Sequence, residues 1–238
     1  MNEGFFYTQL NDIEPILKQL KLLKKRNKQR PPYKNYAASF FRGKSYRDIW
    51  QFSFDENLYD FLLDDDSILQ FRYDKVSRLI VSYSYLNSPF RKLLSFEEFY
   101  NDRLREIDRL RETDEIKEEP DEYSILREYE FYIETNTLVK EHVSPIRYDY
   151  DHKLYVKGRH PASHIHFGHG NNIRVATQRI LRPMSFILFI LRQCYPDSWT
   201  NFLFKDEAET LCRNVREHPD QVHDDYWNEL DEREMFLY

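Results

Sequence analysis

Cysteine is almost missing from this chain: Cys194 and Cys212 are the only two. A disulfide-stapled scaffold is excluded, and two thiols fit a reducing compartment, so the cytoplasm is the expected location. Both read as half-buried thiols on helices. Glycine occurs five times and the ten prolines are scattered, which excludes collagenous and low-complexity chains. No early stretch joins a basic start, an apolar run and a small-residue cleavage site, so no signal peptide is expected. The most apolar run, Met184 to Leu191, is far short of the ~20 residues that span a bilayer, and no membrane partner is expected. Several enzyme signatures are missing too. There is no P-loop, no dinucleotide-binding glycine pattern, no Gly-x-Ser-x-Gly elbow and no His-Glu-x-x-His.

What is present is a chain of 238 residues with 18 Tyr and 18 Phe, enough to bury a proper core and unlike a disordered segment. The net charge of −6 conceals segregation. Residues 18 to 47 hold eleven Lys and Arg and no carboxylate, and residues 143 to 192 hold eight basic and two acidic residues. Such sorting can give an acidic protein a basic face that attracts phosphate backbones. The blocks can equally neutralise one another within the fold.

Periodicity supplies a coarse outline. Ile13, Ile16, Leu17, Leu20 and Leu23 predict an amphipathic helix over residues 10 to 25, running into Lys24 to Arg30 and ended by Pro31-Pro32. A short helix is expected over 46 to 62, then a turn at Asp64-Asp65-Asp66. Strands follow at Ile68 to Tyr73 and around Leu79, Val81, Tyr83 and Tyr85, joined as a hairpin. Ser95 and Glu98 form a capping box for a helix carrying Phe99, Leu104, Ile107 and Leu110. The acidic stretch 112–121 reads as a linker between an N-terminal half, 1–112, and a histidine-bearing half, 122–238, with strands that can share one sheet. Beyond it, Tyr129, Phe131 and Ile133 alternate as in a strand. So do Ile146, Tyr148 and Tyr150, and short strands are expected at Leu154 to Val156 and His164 to Phe167. Pro183 opens a buried helix, Asp197 caps another, and the tail from His218 is expected to dock as a last helix. The class is α+β: a mostly antiparallel sheet flanked by helices, with a helical C-terminal third.

Six of the eight histidines fall between His142 and His169. Imidazole is the side chain best suited to bind a metal or move a proton near neutral pH. In a strand, His164 and His166 share one face while Ile165 and Phe167 enter the core. Arg147 and Asp149 likewise share a face opposite Ile146, Tyr148 and Tyr150, so pairing the two strands would bring a carboxylate and a guanidinium to the imidazoles. His160 precedes the pair through a Pro-containing turn that can fold it back. Two mechanisms follow. His160, His164, His166 and Asp149 can hold Zn²⁺, Mn²⁺ or Fe²⁺ with a position open for water. Without metal, one imidazole can take a proton from an RNA 2′-hydroxyl and another protonate the leaving oxygen, with Arg147, Lys157, Arg159 and Arg174 holding phosphate. The surrounding cations favour a phosphate-bearing substrate.

The run Arg147-Tyr148-Asp149, then His160-Pro161-Ala162-Ser163-His164-Ile165-His166-Phe167-Gly168, then the stretch from Pro183 to Trp199, resembles a bacterial family known as a domain of unknown function, best over residues 120 to 200. That resemblance implies a bacterial cytoplasmic protein and assigns no reaction. An aromatic-Asp segment followed by His-x-His is similar to the TumE-like toxins of toxin–antitoxin pairs, with Asp149, His164 and His166 at matching positions and His160 more loosely placed. The similarity implies a toxin or defence component with an antitoxin partner.

The expected function is therefore a nucleic-acid-acting enzyme, an RNA-cleaving toxin-like or anti-phage effector. The alternative is a non-catalytic subunit that binds nucleic acid or a larger ATPase through the eleven-cation block and the acidic tail. A small-molecule metalloenzyme is the third reading.

Overall fold

The computed structural model describes residues 1–29, 43–74, 80–113, 120–136, 139–140, 142–171, 173–217, 220–233 and 236–237. Residues 30–42 of the basic block, the loop of the expected hairpin and most of the acidic stretch lie outside them. The fold is α+β. Seven antiparallel strands lie in chain order: β1 (Leu23–Arg26), β2 (Phe61–Leu63), β3 (Ile68–Asp74), β4 (Ile80–Leu86), β5 (Ile146–Asp151), β6 (Ser163–Phe167) and β7 (Arg174–Thr177). A short β10 (Phe236–Leu237) runs parallel to β7 at the edge. β8 (Arg179–Ile180) and β9 (Asp220–Gln221) make a separate ladder. The helices are α1 (Glu3–Gln19), α2 (Tyr46–Asp55), α3 (Phe96–Glu112), α4 (Glu122–Thr135), α5 (Pro183–Cys194), α6 (Pro196–Leu203) and α7 (Asp206–Glu217).

The sheet is two-sided because its strands alternate. One face sends Phe71, Val81, Tyr83, Tyr148 and Ile165 into a core completed by α1 and α5. Tyr83 and Tyr148 lie 5.4 Å apart between ring centroids, and Phe186 of α5 packs 5.7 Å from Tyr83. Their hydroxyls stay satisfied. Tyr83 donates to the Leu181 carbonyl at 3.1 Å, Tyr148 accepts from the Leu181 amide at 2.9 Å, and Ser163 meets the Tyr148 hydroxyl at 2.9 Å. The other face is polar. Register places Gln70, Ser84, Arg147, His166 and Arg174 in one row, and Arg72, Ser82, Asp149 and His164 in the next.

Two compact units are present: residues 1–88 with 143–238, and residues 89–142. These boundaries are drawn differently from a division into 1–112 and 122–238. Strands from before and after the acidic stretch share one sheet, and that stretch falls inside the second unit. In that unit α3 begins with the expected capping box at Ser95 and Glu98, and Phe96 and Phe99 pack on Tyr129 and Tyr132 of α4. α4 corrects the strand expected at Tyr129 to Ile133. Asp121 caps it, and Ile125, Tyr129 and Tyr132 recur at helical spacing, whereas Phe131 stands exposed.

Other expectations also shift. The first helix runs from Glu3, capped by Asn2, to Gln19 rather than over 10–25, because Phe6, Leu10, Ile13 and Leu17 make its buried stripe. Lys21 turns at φ 56°, and Lys24 to Arg26 then form an edge strand against β2. α2 stops at Asp55, and Phe61–Leu63 is a strand because it pairs with both β1 and β3. Leu154 to Val156 is not a strand: a 3-10 turn over His152–Leu154 leads to an isolated bridge between Val156 and His160. Asp197 lies in the first turn of α6 and does not cap it; Tyr195 occupies the cap. The tail forms β9, a 3-10 turn over Asp224–Tyr226 and β10 in place of a docked helix. Pro183 opens the buried helix α5 as expected. Among the described residues no helix is long and apolar enough to cross a membrane.

Candidate active site

β5 and β6 pair so that Asp149 faces His164 and Arg147 faces His166. All four side chains sit on the polar face because Tyr148 and Ile165, the residues between them, are drawn into the core. One oxygen or nitrogen from each of Asp149, His164 and His166 lies within 4.8 Å of the others. The two imidazoles meet Nε2 to Nε2 at 2.9 Å, and His166 Nε2 is 3.4 Å from Asp149 Oδ2. His164 Nδ1 donates to the Pro161 carbonyl at 2.8 Å, which fixes its tautomer and turns the Nε2 lone pair toward the group. Asp149 is oriented by two donors: Ser82 Oγ of β4 to Oδ1 at 2.6 Å and Arg147 Nε to Oδ2 at 2.7 Å. His164 is 2% exposed, whereas the side chains of His166 and Asp149 are 12% and 22% exposed. The cluster therefore opens to solvent on the Asp149 side.

Its electrostatics follow from this packing. Burial alone would raise the Asp149 carboxyl, but the His166 hydrogen bond, the Arg147 charge, the Ser82 hydroxyl and His164 outweigh it and hold the group at about 2. Burial, reinforced by His166, depresses His164 to about 4 despite the pull of Asp149. At neutral pH this imidazole carries no extra proton. Such a group is poorly matched to general-acid work, which requires a pKa near the operating pH. A metal, in contrast, requires its imidazole ligand neutral.

The donor set, two imidazole nitrogens and one carboxylate oxygen, fits Zn²⁺, Mn²⁺ or Fe²⁺ and leaves positions for water and substrate. His160 stands outside the three-donor group. Its ring centroid is 5.0 Å from that of His164, and its Nδ1 is buried without a hydrogen-bond partner. Burial and then the Arg174 charge lower its pKa, so Arg174, which faces His166 across β6 and β7, also bears on His160. Lys157 and Arg159 lie exposed in the turn before β6 and make no hydrogen bond or ion pair with the cluster among the described residues. The structure therefore gathers Asp149, His164, His166 and Arg147, places His160 and Arg174 beside them, and leaves Lys157 and Arg159 exposed and apart from the group. Ser82 and the Pro161 carbonyl were not anticipated. Ser82 is signalled only by β4 alternation, and its role needs the β4–β5 register.

Several cations in the described part of the N-terminal basic block are engaged elsewhere. Lys18 pairs with Glu14, Lys24 with Asp66, and the Arg26 guanidinium lies 3.9 Å from the Phe61 ring centroid.

No curated protein and no solved structure matches the chain. One family model does, over residues 18–231, and that span includes β1 to β7 and the whole cluster. The chain thus belongs to the DUF2290 family of uncharacterised conserved proteins.

Proposed function

We propose that this protein is a divalent-metal-dependent phosphodiesterase acting on nucleic acid. The observation that carries the reading is the convergence of Asp149, His164 and His166 donor atoms within 4.8 Å on an open polar sheet face, with Arg147 bound to the same carboxylate. A metal held there supplies Lewis-acid polarisation of a phosphoryl oxygen and a water acidic enough to attack at neutral pH. Ser82 and Arg147 fix the carboxylate, and Pro161 fixes the His164 tautomer. Arg147 and Arg174 flank His166 in one row and offer guanidiniums to the phosphate oxygens. His160, whose ring packs against that of His164, is the residue we assign to accept a proton from the water that such a metal would activate. The adaptor reading is weaker because several described cations of the N-terminal block, Lys18, Lys24 and Arg26 among them, already have partners within the fold. A toxin-like or defence role in the cytoplasm is the biological setting that the local similarity to TumE-like toxins suggests.

The test is cleavage of an oligoribonucleotide and an oligodeoxyribonucleotide by wild type and by the His164→Ala/His166→Ala variant, with Mn²⁺ or with EDTA. Elemental analysis of both proteins runs beside it. Metal uptake and cleavage should both disappear in the variant. Cleavage that resists chelation but is lost in the variant would return the histidines to metal-free proton transfer. Cleavage retained by the variant would remove the cluster from catalysis.

A further inference from the structure

A cavity of about 710 Å³ opens on the polar face and shares Arg147 with the cluster. Its volume falls within the roughly 300–1,000 Å³ typical of small-ligand sites. The floor is the Gln70–Ser84–Arg147 row that continues to His166. Three cations line it, Lys44, Arg72 and Arg147, and no carboxylate does so among its described lining residues. α2 contributes Ser53, which is fully buried and whose hydroxyl has no hydrogen-bond partner. Buried hydroxyls in folded proteins are nearly always paired, so an orphan on a cavity wall points to a ligand that completes it. Tyr46 and His169 supply aromatic surface. Their rings are 5.8 Å apart at a tilt of 54°, and His169 Nε2 donates to the Lys44 carbonyl at 3.1 Å. Gly168, at φ +83°, turns the chain at the cavity edge, where a β-carbon would meet the Asn171 amide at 2.5 Å.

From this arrangement we infer that the cavity is the subsite for the nucleotide next to the scissile phosphate. Cations for phosphate, an unpaired hydroxyl for a polar ligand atom and ring surface for a base together match one nucleoside monophosphate unit, with Arg147 reaching both the cavity and the Asp149 carboxylate. The inference deepens the phosphodiesterase reading and rests on it for the position of the scissile bond. Binding to the cavity can be measured without any turnover.

The experiment is calorimetric titration of adenosine 5′-monophosphate into the metal-free protein, with adenosine and inorganic phosphate as separate titrants. Wild type should bind the nucleotide more tightly than either fragment. Lys44→Ala/Arg72→Ala changes only exposed side chains and should weaken binding by about tenfold or more, the loss expected from removing hydrogen bonds to a charged group. Ile49→Trp, which fills the cavity from α2, should abolish binding while circular dichroism and a cooperative thermal transition confirm the fold. No nucleotide binding by wild type, or binding indifferent to both variants, overturns the assignment. The two readings fail separately: nucleotide binding without metal uptake sinks the metal centre and leaves the subsite, and metal uptake without nucleotide binding does the reverse.

Discussion

Asp149→Asn isolates the electrostatic core of the site. The carboxylate is held by Ser82, Arg147 and His166, and its pKa falls from an ordinary 3.8 to about 2. That difference corresponds to about 2 kcal/mol of folding stability at pH 7, contributed by the charged form. The sign is fixed by the direction. A depressed folded-state value stabilises the protein above 3.8, and the contribution disappears as pH falls from 3.8 through 2. An amide retains one acceptor oxygen for Ser82 or Arg147 but turns an NH₂ toward the remaining donors, so the full stabilisation is lost. The assay is urea denaturation in EDTA followed by tryptophan fluorescence. Trp50, Trp199 and Trp227 all lie in the unit formed by residues 1–88 and 143–238, so the signal reads the unit that carries the site. Asp149→Asn should lose about 2 kcal/mol at pH 7 and show a flatter stability profile than wild type between pH 4 and 2. Equal stability at pH 7, or an acid limb that the substitution leaves as steep as before, would refute the account of how this carboxylate is held.

Two further outcomes are expected. In EDTA the His164 ring should titrate by NMR near pH 4, its neutral form contributing stability that is complete above 6.5 and lost as pH falls toward 4; a midpoint near 6.5 would show that the ring is not buried against His166. Tyr148→Phe leaves the Leu181 amide without its acceptor in the core, so stability should drop by about 1–3 kcal/mol, and an unchanged urea midpoint would contradict that bond.

Much of the site was legible because a strand repeats every two residues. Ile146, Tyr148 and Tyr150 announce which face of β5 is buried, and with it the common side of Arg147 and Asp149. His164 and His166 obey the same rule around Ile165. That the two strands are neighbours, and in the register that sets Asp149 against His164, is a property of the sheet and is written in neither segment. Ser82 shows the limit most clearly, since it reaches Asp149 from 67 residues away. In α4, three alternating apolar residues competed with a helical stripe of Ile125, Tyr129 and Tyr132, and the Asp121 cap together with packing on α3 settled the contest. Lys24 to Arg26 were drawn into strand by the unpaired edge of β2, a tertiary influence that local propensity does not encode.

The chain leaves the sheet after β4 and returns in β5, its immediate neighbour, having spelled out residues 89–142 on the way. Adjacent antiparallel strands require no more than a tight turn between them. Everything inserted there is therefore optional as far as the ladder holding Ser82 against Asp149 is concerned. The polar face can keep its geometry whatever the length of that excursion, which makes this junction the place where the fold best tolerates insertion or deletion.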